Sequence, residues 1–405
     1  MDLRMRITIA NQASEETDSL RWLKRLKHWL WDKDIHLERT GPQLIVLGVL
    51  SAAAIVTELA YHHNTAALLE TLRAKSMVVF YNVREVALSD VEAPIAAWIV
   101  VAAVTRIVFG AIVGIADIAF YRKITGKPYD WEAMINVSVV NVVFLLTTLL
   151  TFSNPSVDRL LEHYASMLSA VPTIVDLNGP LALIVACYLA DFCYYWSHRW
   201  SHKIRFFWNL GHVNHHRSRN LSQLTQAVDP QSYLLDVAGG KVFVLLLLPV
   251  LTKLFSLDFR DGGWALVVLV LIDAWTNPSH SVVLSYAEIK SPFLRMFRSV
   301  LVTPGVHFTH HSREDDHNIT DGCNFGARFT LWDRVFGTYV EPPQYIPETG
   351  LYGDDSDYCR TPLRFIFYPY MRMFKELQQN HPRYWPAILF GSTSYHPPVP
   401  VKSKY

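Results

Sequence analysis

Cysteine is scarce in this chain. Four occur in 405 residues, Cys187, Cys193, Cys323 and Cys359, and none stand in C-x-x-C spacing, which disfavours structural zinc and iron–sulfur sites. An excess of one charge is also lacking: 37 Lys and Arg against 36 Asp and Glu leave a formal net charge of +1, which argues against a nucleic-acid partner. No G-x-G-x-x-G run offers a nucleotide site and no His-Pro-Gly-Gly stretch offers a haem ligand. Reducing equivalents for any redox chemistry would therefore come from a separate donor. Repeats and long low-complexity tracts are missing. The first forty residues are charged and have no apolar h-region, so no cleavable signal is expected.

Histidine is what the chain has in one place. Nine of its 17 histidines lie between His198 and His311. They form three boxes, His198-Arg-Trp-Ser-His202, His212-Val-Asn-His215-His216 and His307-Phe-Thr-His310-His311, with His280 between the last two. On a helix, positions i, i+3 and i+4 share a face, so each box is expected to present its imidazoles in one direction, toward a metal. Burying nine imidazoles without partners would cost roughly 1–3 kcal/mol each, so an unrelated scatter of core histidines is a poor explanation. Nine nitrogen ligands exceed one tetrahedral site and suit two ions; iron is the natural choice for oxygen chemistry, with zinc and copper allowed by ligand type. A zinc protease of the H-E-x-x-H kind is excluded, because Arg199 stands where the catalytic glutamate is needed.

Composition points to a membrane protein with a substantial polar part, 51% hydrophobic and 18% charged. Apolar segments of spanning length run over 43–61, 94–121, 137–153 and 178–197, and two shorter ones over 241–256 and 263–275. The shorter pair, joined by Asp258-Phe-Arg-Asp-Gly-Gly263, reads as a helical hairpin or a re-entrant pair. Arg21, Lys24, Arg25, Lys27 and Lys33 before the first span, and Arg122, Lys123 and Lys127 after the second, place both flanks in the cytoplasm. Four spans then bring His198 to His216 out on the same side, and the hairpin returns His280 and the third box to it. Both termini fall on that side as well. Trp22, Leu23, Leu26, Trp29, Leu30 and Trp31 suggest a surface helix within residues 1–42. Glu58, Arg106 and Asp117 lie in or near the spans; Glu58 and Asp117 are close enough to the ends to reach the interface. Asp191, two helical turns before His198, is placed to accept the second N–H of a ligand histidine. His317 stands outside the box spacing.

The run Asp191-Phe-Cys-Tyr-Tyr-Trp-Ser-His198-Arg-Trp-Ser-His202, then Trp208-Asn-Leu-Gly-His212-Val-Asn-His215-His216, His307-Phe-Thr-His310-His311, Asn324-Phe-Gly and Trp332-Asp-Arg-Val-Phe-Gly-Thr-Tyr339 resembles the fatty acid hydroxylase/sterol desaturase superfamily of membrane di-iron enzymes. The likeness covers residues 175–340, and its phrasing is most similar to the branch holding alkylglycerol monooxygenase and bacterial relatives. It implies an all-α integral membrane protein, a transmembrane bundle with a cytoplasmic helical histidine-box cap holding a di-metal site. Its expected parts are a cytoplasmic segment 1–42, transmembrane helices 43–170, a catalytic domain 171–340 and a cytoplasmic tail 341–405. It further implies two iron ions, O2 as co-substrate, a membrane lipid as substrate, and a separate electron donor that is cytochrome b5-like, ferredoxin-like or a pterin. The membrane would be the endoplasmic reticulum in a eukaryote and the inner membrane in a bacterium. Asn324 matches the asparagine of the family's run after the third box, where it is expected to orient a ligand or water. The competing function class is a metal-handling membrane protein, a transporter or metal-responsive regulator. The boxes lie in polar, arginine-rich stretches beside the spans, not at the bilayer midplane, and that favours the enzyme.

Overall fold

The computed structural model describes residues 93–129, 170–218, 221–223, 254–258, 278–317, 322–351 and 362–400, with a few single positions between them. Helix predominates among them. The first, α1 (Ala93–Thr125), is a run of Ala, Ile and Val closed by Arg122 and Lys123 in its last turn, where cations complement the helix dipole. Gly126 ends it at φ 74°, its N–H donating to Arg122 O at 2.9 Å, a left-handed cap. A short strand β1 (Val175–Asn178) leads into α2 (Gly179–Lys203), whose last two turns carry the first box. There follow α3 (Arg205–Phe207), a π-helical turn over Trp208–His212, and α4 (Val213–His216), which together carry the second box.

Strand β2 (Phe255–Asp258) pairs in parallel with β1, Val175 opposite Phe255 and Asn178 opposite Asp258. Helix α5 (Val282–Lys290) is capped by Ser281, whose Oγ accepts from Leu284 N at 3.1 Å. The short α6 (Pro292–Met296) starts at Ser291 in the same manner. The third box lies on α7 (Pro304–His310) and its capping residue His311. The remaining helices are α8 (Leu331–Val335), α9 (Pro362–Gln379) and α10 (Trp385–Phe390).

Of the apolar segments, 94–121 lies within α1 and 178–197 lies in α2 apart from Asn178. Segments 43–61, 137–153 and 263–275, with most of 241–256, lie outside the described residues, as do Glu58 and the segment 1–42. Among the described residues no helix is long and apolar enough to cross a membrane. The strand pair departs from the all-α expectation: Phe255 and Ser256, read as the end of the apolar segment 241–256, are strand and not helix. Both strands alternate, Val175 and Leu177 against Asp176 and Asn178, Phe255 and Leu257 against Ser256 and Asp258. That period of two, read over only four residues, was hidden by the longer apolar stretches beside them.

Two sets of contacts bring the boxes together. Tyr121 of α1, Leu221 after the second box, Val282 of α5 and Phe308 of α7 form one buried cluster, each fully buried large side chain contributing about 1.5–3 kcal/mol. Asp117 of α1 does not reach toward an interface. It is fully buried, and its carboxylate accepts from Gln223 N at 2.7 Å, Ser281 Oγ at 2.7 Å and Val283 N at 3.0 Å. A carboxylate with three donors in reach gains more by turning inward than by snorkelling. Arg106 also lies on α1, and its side chain is outside the described residues. On the other side, residues expected to be a tail form α9 and α10, which fold back on the first two boxes. Buried Arg205 pairs with buried Glu376 and donates to Ile388 O at 2.9 Å, and Thr393 Oγ1 donates to His202 O at 2.8 Å.

Candidate metal centre

The nine box histidines are all buried and fall into two sets. His198, His202, His212, His216 and His310 form one; His215, His280, His307 and His311 form the other. Within each set the offered ligand atoms lie within 4.8 Å of one another. The sets cut across the boxes, and this corrects the expectation that each box points one way. At about 100° per residue, i+4 lies about 40° to one side of i and i+3 about 60° to the other. Thus His198 and His202, His212 and His216, and His307 and His311, each i and i+4, stay together. His215 and His310, each at i+3, turn to the opposite set.

The nitrogens meet at one edge of each ring. Nε2 of His202 lies 2.9 Å from Nε2 of His212, and His216 Nε2 lies 3.1 Å from His310 Nε2. In the second set His280 Nε2 stands 3.0 Å from both His307 and His311 and 3.3 Å from His215, while His307 and His311 are 3.1 Å apart. The triangle His280, His307 and His311 cannot be three hydrogen bonds, since a neutral imidazole has one N–H and one lone pair. Around an ion bonded to imidazole nitrogens at about 2.1 Å, adjacent ligands stand roughly 3 Å apart, and these separations match the edges of such a shell. The residues present therefore fit a pair of metal ions held by nitrogen alone. His198 Nε2, buried with no hydrogen-bond partner, fits the same shell.

Electrostatics agree. Burial pushes the imidazoles of His198, His215, His216, His307 and His311 well below their usual pKa, and neighbouring histidines push further. Burial takes His280 down to about 3 and His310 to about 4. Each is a neutral ligand at physiological pH, with a lone pair to give.

The ring orientations are set by one loop. Nδ1 of His198 lies 2.8 Å from Phe325 O, and Nδ1 of His310 lies 2.6 Å from Cys323 O. Each carbonyl holds a proton on Nδ1 and so frees Nε2 for the metal. Asn324 between them has φ 52°, a left-handed conformation that asparagine tolerates better than most residues. Its Nδ2 donates to Val306 O at 3.2 Å and Val340 O at 3.0 Å, and its Oδ1 accepts from Val340 N at 2.9 Å. The four following N–H groups are held by two buried carboxylates. Asp333 accepts from Phe325 N at 2.7 Å and Gly326 N at 2.8 Å; Asp191 accepts from Ala327 N at 3.1 Å and Arg328 N at 2.8 Å. Asp191 was expected to meet a ligand imidazole directly. It holds the loop instead, because backbone carbonyls already occupy the Nδ1 positions of His198 and His310. Burial raises the pKa of Asp333, and its hydrogen bonds oppose that shift.

Sequence reasoning missed Asp333, although its Trp-Asp-Arg run was visible, and missed Glu288, which carries no local signature. Glu288 is buried in α5. It accepts from Arg298 Nε and Thr303 Oγ1, both at 2.9 Å, and from Gly305 N at 3.1 Å, fixing the start of α7. A Cβ on Gly305 would stand 2.5 Å from Glu288 Oε2 and 2.8 Å from Arg298 Nη2, so a side chain there would have to displace this buried ion pair. His317 joins neither set; its Nδ1 lies 2.8 Å from Ser312 Oγ. Rings close the first set: Phe325 lies 5.2 Å from His202, and Trp208 lies 5.2 Å from His202 and 5.5 Å from His216.

Comparison with known proteins agrees with this geometry. The chain is 26% identical to alkylglycerol monooxygenase of Danio rerio over 184 residues, 45% of this chain and 35% of that protein. It is 24% identical to lathosterol oxidase of Mus musculus over 210 residues, 50% of this chain and 62% of that protein. The match thus spans less than two thirds of either relative. No solved structure matches. The fatty acid hydroxylase family model matches residues 183–338, from the first half of α2 to the threonine that Asp333 holds, and so takes in all nine histidines. Over that stretch the chain is similar to the fatty acid hydroxylase family.

Proposed function

We propose that the protein is a membrane di-iron enzyme that uses O2 to hydroxylate or desaturate a lipid C–H bond. The observation that carries this reading is the pair of adjoining, wholly imidazole ligand sets, buried and neutral, with the tautomers of His198 and His310 fixed by Phe325 O and Cys323 O. Two irons held there would supply O2 activation and one-electron redox chemistry. For hydroxylation, one oxygen of O2 enters the C–H bond and the other leaves as water, consuming two electrons and two protons from an external donor.

The chain's own residues do the positioning. Asp333, Asp191 and Asn324 hold the loop 323–328 so that both carbonyls face imidazoles. Glu288 holds the start of α7. Phe325 and Trp208 keep water from the first ligand set. The substrate class follows from the relatives named for an alkylglycerol and a sterol, and the candidate lipids are an ether lipid, a sterol, a fatty acyl chain or a sphingoid base. The apolar segments 43–61, 94–121, 137–153 and 178–197 would anchor the protein with its boxes on the cytoplasmic side.

Purified protein should hold about two iron atoms per chain and consume O2 only with a reductant. Lipids of cells expressing it should gain a species shifted by about +16 or −2 mass units, identifying reaction and substrate together. Absence of iron under reducing conditions would sink the oxygenase reading in favour of a metal-handling protein.

A further inference from the structure

The last turn of α2 carries the ligand His202, and the helix stops directly after it. Ile204 is extended, at φ −104° and ψ 117°, and the final carbonyls of a helix have no partner within it. Here the partners come from the chain after α10. Thr393 Oγ1 donates to His202 O at 2.8 Å, and Thr393 N donates to Lys203 O at 3.2 Å. Beside them Arg205 N donates to Gly391 O at 3.1 Å, and Ile204 pairs with Ser392 in an antiparallel bridge. Helix ends fray when such carbonyls are not held. His202 therefore keeps its aim at the first ligand set only while residues 391–393 cap the helix that carries it.

The same unit grips the turn that carries the facing ligand. Tyr370 of α9 donates its hydroxyl to Leu210 O at 2.5 Å, inside the π-helical turn Trp208–His212. Turns of this kind depart from the α ladder and recur at functional sites, and this one ends on His212. Nε2 of His202 and Nε2 of His212 stand 2.9 Å apart, so one ligand of that pair is held through Thr393 and the other through Tyr370. The two holding residues are tied to each other. Glu376, further along α9, forms a buried ion pair with Arg205, whose Nε donates to Ile388 O of α10 at 2.9 Å. Asn380 after α9 donates to Glu376 O at 2.8 Å and to Val399 O at 2.9 Å. All of this lies beyond residues 183–338, the stretch that the family model matches.

We propose that Thr393 and Tyr370 are positioning residues of the first ligand set: by holding the carbonyls of His202 and Leu210, the unit of α9, α10 and residues 391–395 fixes the spacing of His202 and His212 around their ion. Helix α2 supplies ligands to the first set alone, His198 and His202. Loss of the Thr393 hydrogen bond should therefore fall on one ion and spare the other. The role rests on the reading of the two sets as a metal pair, and the test separates the two because the wild type is measured beside each variant.

The full chain is loaded with the Mössbauer-active isotope of ferrous iron, and a chelator is added in steps while the spectrum follows each ion. The first-set signal is the one missing from His198→Ala. Thr393→Val keeps the shape and removes the hydroxyl; it should lose that ion at about tenfold lower chelator concentration and change its spectrum, with the second ion moved by less than about twofold. Thr393→Ser keeps the donor and should restore the wild-type behaviour. Tyr370→Phe loses only its hydroxyl and should loosen the same ion several-fold. A first-set ion unshifted in Thr393→Val or in Tyr370→Phe, both ions loosened alike by Thr393→Val, or a Thr393→Ser variant that behaves as Thr393→Val does, would overturn the proposal. A wild type that holds no iron would instead overturn the metal pair, and the proposal with it.

Discussion

Asn324 is the residue on which the metal loop turns. Its left-handed backbone lets the carbonyls of Cys323 and Phe325 face His310 and His198, and its amide ties the loop to Val306 and Val340. Asn324→Asp keeps the shape and replaces the donor toward those two carbonyls with an acceptor. Two hydrogen bonds of about 1 kcal/mol each are lost and two oxygens are left facing a third, so the expected cost is about 3 kcal/mol or more. Asn324→Gly loses those two bonds and the one from Val340 N as well, but it relaxes the backbone and sets no oxygen against the two carbonyls, so it should be the milder change. Calorimetric melting of the metal-loaded variants checks the order, and an Asp variant as stable as wild type would contradict it. Asp333 and Asp191 act one step further out, on N–H groups, and Glu288 acts on the first turn of α7. These three carboxylates set ligand geometry without touching a ligand nitrogen.

At the scale of elements, box spacing decides which ion each histidine serves. Because i+3 and i+4 fall on opposite sides of i, His307→Ala and His310→Ala, three residues apart on α7, belong to different sets. Each should release about one of the two ions, and the double variant both, whereas His307→Ala with His311→Ala should release no more than either alone. Metal content together with the iron Mössbauer spectrum, which separates two unlike sites, would show this. Loss of both ions from each single variant would mean that the sets are one inseparable cluster. The nine histidines were legible in the sequence because their chemistry has no bland alternative at that density. Their division between two sets was not, because a sequence pattern marks a shared helix face without separating its two edges. The helices over 94–121 and 178–197 were legible from long apolar runs. The strands β1 and β2 were too short to announce themselves, and the loop 323–328 works through backbone groups that every sequence has.

For the whole molecule, the buried histidines make stability depend on pH in a definite direction. In the folded, metal-free chain the pKa values of His198, His215, His216, His280, His307, His310 and His311 lie below the ordinary 6.5. Unfolding lets each take up a proton as soon as the pH is below about 6.5, so the unfolded state binds more protons and stability is lost as the pH is lowered. The contribution is fully present above pH 6.5 and declines through the window down to about 4, where His310 first protonates in the folded chain. Glu288 and Asp333 work the other way, because burial raises their folded pKa values, so folding around them is favoured as pH drops toward the carboxylate range. The seven depressed imidazoles outnumber the raised carboxylates, and the imidazole shifts set the sign. Metal steepens the dependence, since ions leave the folded chain as its ligands protonate. Melting temperature should therefore fall between pH 6.5 and 4.5 both with and without metal, and further with it. A metal-free chain whose melting temperature stayed level or rose across that window would show that the imidazoles are not buried and neutral together as the two ligand sets require.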